Sequence, residues 1–199
     1  MFDFFQYWVI QQNLPKIKLK FDHEFKVARE KNSPREELNR MYYRFFKGHS
    51  LNSVELLGVE WFKEKILSPN FFINKTLQRL KEHKNKGDKI VFVSGSMSPL
   101  LQPIANHVGA DDLLCTDLIV DIDRNLTGEI GPIQTIGAGK SDVMNKFALA
   151  NDIKLSDCYG YGDDFSDMYM LLLVGNPVYV GNQPQMLDIA NINNWEILN

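Results

Sequence analysis

A chain of 199 residues with formal net charge −3 has room for one compact domain, or one with a small partner, at roughly 150 residues per domain. Hydrophobic residues at 44% and charged residues at 24% exclude a mainly disordered, collagenous or coiled-coil chain. The longest aliphatic runs, such as Met170 to Val174, fall far short of the roughly 20 residues of a membrane span. No cationic and then apolar leader opens the sequence. The cysteines Cys115 and Cys158 stand alone, which argues against a disulfide framework or zinc knuckle and fits a reducing cytoplasm.

The charge is unevenly placed. Residues 1–75 hold 13 Lys+Arg against 9 Asp+Glu, whereas residues 76–199 hold 9 against 16. Two solvated surfaces would give this split. So would a basic lid that attracts an anionic substrate over an acidic, metal-binding body.

The first part reads as helices. Ser33-Pro34-Arg35-Glu36 offers an N-cap, a proline at the first helical position and a capping-box Glu. Leu38, Met41, Tyr42, Phe45 and Phe46 follow on one helix face. A second helix is expected from Ser53, with Val54, Leu57, Trp61 and Phe62 on its apolar side, stopping at Ser68-Pro69. These aromatics are read as core. The basic run from Lys16 to Lys20 is read as a loop or solvated helix edge rather than a nucleic-acid site, because no large basic surface accompanies it.

After Phe72 the pattern changes. A helix through Leu77 and Leu80 ends at Gly87, and Lys89 to Val93 reads as a buried strand. A helix from Pro99 to His107 closes at Gly109. Leu113 to Ile122 and Leu126 to Ile130 read as a β-hairpin around Asp123-Arg124-Asn125. Helix 141–150, strand 158–161, helix 167–173 and strand 177–180 follow. The fold class expected is α/β, a Rossmann-like, mostly parallel sheet with helices on both faces, plus a small all-helical cap. The division expected is a cap over 1–72 and a core over 73–199.

Ligands of such sheets bind beyond the carboxyl ends of the strands. The first such end is Val93-Ser94-Gly95-Ser96-Met97-Ser98-Pro99, where a hydroxyl and backbone N–H groups meet a helix start. It suits a phosphate, or simple capping by Ser96 or Ser98. The second is Gly137-Ala138-Gly139-Lys140-Ser141. It is no Walker A loop, because Gln134 stands where the earlier glycine must be. A lysine in a first helical turn opposes the macrodipole, so Lys140 is either solvated or paired with an anion. The third, Gly162-Asp163-Asp164-Phe165-Ser166-Asp167, crowds three carboxylates into one turn. They suit Mg²⁺, or N-capping by Asp164 with spare surface acids. Asp121-Ile122-Asp123 opens like an EF-hand, but Leu126 and Pro132 occupy the positions of its glycine and glutamate. The four histidines have no ligand spacing.

The order and spacing of these segments resemble the haloacid dehalogenase (HAD) superfamily, nearest its phosphoserine phosphatase-like subgroup with a helical cap. Val93-Ser94-Gly95-Ser96, Gly139-Lys140 and Gly162 to Asp167 match its second, third and fourth motifs. The hairpin Leu126 to Pro132 and the tail Val174 to Leu198 match as well. The resemblance implies a Mg²⁺-dependent phosphomonoester hydrolase working through an aspartyl-phosphate on a small phosphorylated metabolite, with no nucleic-acid partner. It implies Ser94 and Gly95 on the substrate phosphate with Lys140, Asp163 as a metal ligand, and Asp167 behind them as a catalytic support.

The family's first motif is a hydrophobic strand ending in Asp-x-Asp, which carries the nucleophile. It is missing here. Asp3 lacks both the strand and the second Asp, and Asp121-Ile122-Asp123 lies in a hairpin after the second motif. Met1 to Trp8 resembles the segment that follows the first motif, so the sequence is expected to start about 10 to 20 residues late. The alternative is a non-catalytic HAD-like phosphate-binding or interaction protein that has lost the nucleophile. The expected mark of the missing strand is a slot about one strand wide, roughly 9 to 10 Å, between the strands of the second and fourth motifs, or else its closure by an N-terminal segment or a partner chain.

Overall fold

The computed structural model describes residues 1–199. Its first four helices form where aromatic residues recur at helical spacing. α1 (Phe2–Gln11) buries Phe4, Phe5 and Trp8, and α2 (Pro15–Glu30) buries Phe21 and Phe25. α3 (Arg35–Arg44) buries Asn39, Tyr42 and Tyr43. α4 (Leu51–Lys65) buries Val54, Leu57, Trp61 and Phe62. The rings interlock: Phe5 stacks on Phe21 with centroids 3.8 Å apart, and Trp8 lies 4.4 Å from Phe46. The aromatic faces are therefore core. Lys16 to Lys20 lies on α2, whose Lys18 pairs with Asp22 one turn on.

Helix boundaries differ from the sequence expectation. Pro34 rather than Ser33 holds the N-cap position of α3, and no side chain caps it. α4 starts after Ser50 and ends at Lys65, before Ser68-Pro69 is reached. Packing of the aromatic face, not the local cap, fixes these ends.

The helical layer shares its core with the next part of the chain, since Met97, Leu100 and Leu126 belong to the same buried cluster. α4 lies against α6 (Ser98–Val108). A Cβ at Gly58 would sit 2.0 Å from the Pro99 carbonyl oxygen, so only glycine allows this approach.

The α/β part begins with α5 (Asn74–Lys86), closed by Gly87 at φ 83° in the left-handed region. β1 (Val91–Ser94) runs parallel to β2 (Asp112–Cys115). β3 (Leu118–Val120) pairs antiparallel with β4 (Leu126–Ile130). Then come α7 (Ala138–Ala150), β5 (Tyr159–Gly162), α8 (Met168–Leu171), β6 (Asn176–Val180), α9 (Pro184–Ile192) and β7 (Glu196–Leu198). β6 lies between β5 and β7, parallel to both.

The expected single hairpin arm over 113–122 is in fact two strands. Thr116 donates its N–H to the Ser96 carbonyl, and the Asp117 carbonyl accepts from Gly131. These bonds redirect the chain, so that 112–115 extends the β1 sheet and only 118–120 joins the hairpin.

β1 pairs only with β2, and β5 only with β6. The edges of β1 and β5 face a cavity of about 660 Å³ lined by Val91, Val93, Leu114, Met144, Gly160 and Met170, among others. The slot expected between these strands is present. α5 spans the gap: its His83 bridges Tyr161 of β5 at 2.9 Å and Asp88 at 2.7 Å. Arg79 of the same helix pairs with Glu196 of β7.

Candidate active site

The carboxyl ends of β1 and β5 and the start of α7 carry the residues singled out in the sequence. α7 begins at Ala138, three residues earlier than expected, so Lys140 lies inside its first turn. A Cβ at Gly139 would lie 1.8 Å from the Gln134 carbonyl oxygen. Glycine there lets the helix start press against the preceding loop.

Lys140 is not solvated. Its Nζ lies 2.5 Å from Asp167 Oδ1, with side chains 12% and 6% exposed. This pair is the anionic partner that a cation at a helix start requires. Asp167 Oδ2 accepts the N–H groups of Asp163, at 3.1 Å, and Asp164, at 3.3 Å. Asp167 is thus fully engaged and holds the turn that presents Asp163.

Asp164 performs the capping considered for it. Its Oδ1 accepts from the Ser166 N–H at 2.8 Å, and it pairs with Arg35 of α3. Burial raises its pKa, but the Ser166 N–H and the Arg35 guanidinium outweigh this and hold it below the usual carboxylate value.

Asp163 is the carboxylate left without a cationic partner. It is open to solvent on one flank. Desolvation by the surrounding protein, then the charge of Asp167, push its pKa up. A cation beside it would relieve both effects. The fit is to Mg²⁺ held through one carboxylate, with waters and substrate oxygens completing the shell. No group of three or more His, Cys, Asp or Glu side chains is arranged as a metal cage.

Ser94 ends β1, and its Oγ accepts the Ser96 N–H at 3.2 Å. Neither Ser96 nor Ser98 caps α6, whose N-cap residue is Met97 without a side-chain bond. The buried Ser96 and Thr135 hydroxyls have no hydrogen-bond partner. The Gly95 backbone abuts Ile136 and the Thr135 carbonyl, which joins the β1 loop to the segment leading into α7. Lys140, Asp163, Asp164 and Asp167 therefore form one connected cluster, and the loop of Ser94 and Gly95 is linked to it through the 134–136 segment that leads into α7.

Arg35, Asn39, Tyr43 and Gln134 also reach this region, and sequence reasoning assigned none of them a role there. Gln134 Nε2 donates 2.8 Å bonds to Asn39 Oδ1 and to the Glu36 carbonyl. The available signal was spacing: 35, 39 and 43 share one helix face.

The profile of the haloacid dehalogenase-like hydrolases matches residues 1–172. The "Inhibition of morphological differentiation protein" of Streptomyces azureus is 32% identical over 119 residues, 60% of this chain and 43% of that protein. Phosphoserine phosphatase SerB1 of Mycobacterium tuberculosis is 26% identical over 153 residues, 77% of this chain and 49% of that protein. The chain thus spans half or less of the length of these relatives. A substrate-bound phosphoserine phosphatase structure superposes with a TM-score of 0.62 at 23% identity, covering 90% of this chain and 79% of that one. The chain is similar to phosphoserine phosphatases in sequence and fold, and it belongs to the haloacid dehalogenase-like hydrolase family.

Proposed function

We propose that this chain is the main part of a Mg²⁺-dependent phosphomonoesterase acting on a small phosphorylated metabolite through an aspartyl-phosphate. The nucleophile lies on a strand ahead of Met1 that fills the slot. The observation carrying this reading is the conjunction of the slot between β1 and β5 with the Lys140–Asp167–Asp163 cluster at its carboxyl end.

Each residue has a definable task. Ser94 donates its hydroxyl hydrogen to a phosphate oxygen. Gly95 offers its backbone N–H to the phosphate, and its lack of a side chain lets the loop close against Ile136 and the Thr135 carbonyl. Lys140 stabilises charge on the transferring phosphoryl group, and Asp167 holds the Lys140 ammonium and the 163–164 turn. Mg²⁺, carried on Asp163, would neutralise charge on the phosphate. An incoming carboxylate attacks phosphorus as the P–O bond to the substrate alcohol breaks and the alcohol leaves with a proton; water then cleaves the acyl-phosphate, releasing inorganic phosphate and restoring the carboxylate. We assign residues 1–72 to a cap and 73–199 to a core, with the cap helices packing on α6 and β4 through one shared hydrophobic cluster.

The test is the coding sequence upstream of Met1. An in-frame apolar run ending in Asp-x-Asp, whose inclusion yields Mg²⁺-dependent hydrolysis of an aryl phosphate, supports the reading. Asp163→Asn in that longer chain should remove most of the activity, and Ser94→Ala should cost roughly 10²- to 10³-fold, the scale of one lost oxyanion donor. An upstream sequence without that run favours a phosphate-binding protein without catalysis.

A further inference from the structure

One backbone carbonyl at the edge of the site accepts three side-chain donors. The Gly95 oxygen receives Tyr43 Oη at 2.6 Å, Asn39 Nδ2 at 2.9 Å and Thr116 Oγ1 at 3.3 Å. Two of the three come from α3. A carbonyl offers two lone pairs, so this one is saturated. The peptide unit is planar and trans, and its N–H points opposite to its C=O. Drawing the Gly95 carbonyl toward α3 therefore turns the Ser96 N–H the other way, where it donates to Ser94 Oγ. Ser94 Oγ then acts as acceptor to the backbone, and its own hydrogen remains available to an anionic oxygen.

We propose that Tyr43 and Asn39 are positioning residues. They fix the 95–96 peptide and through it orient the Ser94 hydroxyl as a donor, so that seating of α3 is coupled to formation of the phosphate-binding loop. Arg35, on the same face, ties α3 to Asp164 and so to the second half of the site. Asn39 also accepts from Gln134, on the segment leading to Lys140. One helix face thus touches all three segments of the cluster. The inference rests on Ser94 being a phosphate ligand, as proposed above.

Tyr43→Phe removes one hydroxyl and leaves the ring in place. Tyr42→Phe is the matched control: Tyr42 is equally buried, but its hydroxyl donates to the Met1 carbonyl. The 199-residue chain is titrated with inorganic phosphate in the presence of Mg²⁺, and the Gly95 and Ser96 amide resonances are followed by NMR. Tyr43→Phe is expected to weaken phosphate binding by about tenfold, the effect of one lost hydrogen bond, and to shift the Ser96 amide. Its melting temperature should fall no further than that of Tyr42→Phe, which keeps wild-type affinity and an unshifted Ser96. Equal affinities and equal Ser96 resonances in the two variants overturn the proposal. If the wild-type chain binds no phosphate, the assignment of Ser94 falls. The Ser96 shift then decides the positioning role alone: its absence in Tyr43→Phe refutes that role and its presence supports it.

Discussion

Lys140 and Asp167 are buried together, and each is tolerable only because of the other. Removing one member of such a pair leaves an uncompensated buried charge, which costs about 3–5 kcal/mol. Lys140→Met should therefore lower stability by about that amount in urea unfolding. The double variant Lys140→Met/Asp167→Asn should recover a large share of it. Equal losses in the single and double variants would show that the pair is not coupled. Asp163 gives the opposite kind of prediction. Its folded pKa lies above the unfolded value, so its ionised form disfavours the folded state above that pKa, and this contribution vanishes below about pH 4. Asp163→Asn should accordingly stabilise the metal-free protein at neutral pH, by no more than about 0.5 kcal/mol because solvent screens an open carboxylate. The difference from wild type should shrink as pH falls toward 4. A gain that grows with acidification would contradict the assigned cause. Lys140, Asp163 and Asp167 were legible in the sequence because strand-end carboxylates and a lysine in a first helical turn are chemically unusual. Asn39 and Tyr43 were not, because their partner is a backbone oxygen more than fifty residues away.

Among the elements, those whose pattern is local were readable and those set by distant bonds were not. Gly87 and Gly109 end helices in the left-handed conformation, as a glycine after an amphipathic run suggests. The division of 112–120 into two strands depends on bonds from Thr116 to Ser96 and from Gly131 to Asp117, which no local pattern encodes. The slot was legible only as the absence of an expected motif. In a parallel sheet each strand sends alternate amides to either side. Every second amide of Val91–Ser94 and Tyr159–Gly162 therefore faces the cavity in the 199-residue chain. Hydrogen exchange should find these amides poorly protected, and a chain extended upstream by an apolar strand should protect them strongly. Full protection in the shorter chain would mean that the slot is already closed.

Across the whole molecule, two packed units meet around the cavity between β1 and β5. The larger buried cluster joins the four helices to α6 and the hairpin, and the smaller one gathers α7, α8, α9 and the sheet of β5, β6 and β7. Between them the sheet is interrupted, and α5, which leads by the chain into β1, is tied to the β5–β7 sheet through His83 and Arg79. Unpaired strand edges cost about 1–3 kcal/mol per buried polar group, a large fraction of the roughly 5–15 kcal/mol that stabilises a domain. The 199-residue chain should consequently unfold at lower temperature than an extended chain that fills the slot. The proposal that the Lys140–Asp163–Asp167 cluster handles phosphate while the nucleophile lies outside these residues is put to the test by steady-state hydrolysis of an aryl phosphate by the 199-residue chain with Mg²⁺. No turnover above background is expected. Turnover at about 1 s⁻¹ or faster, ordinary for an enzyme, would place a working nucleophile within residues 1–199 and contradict the account.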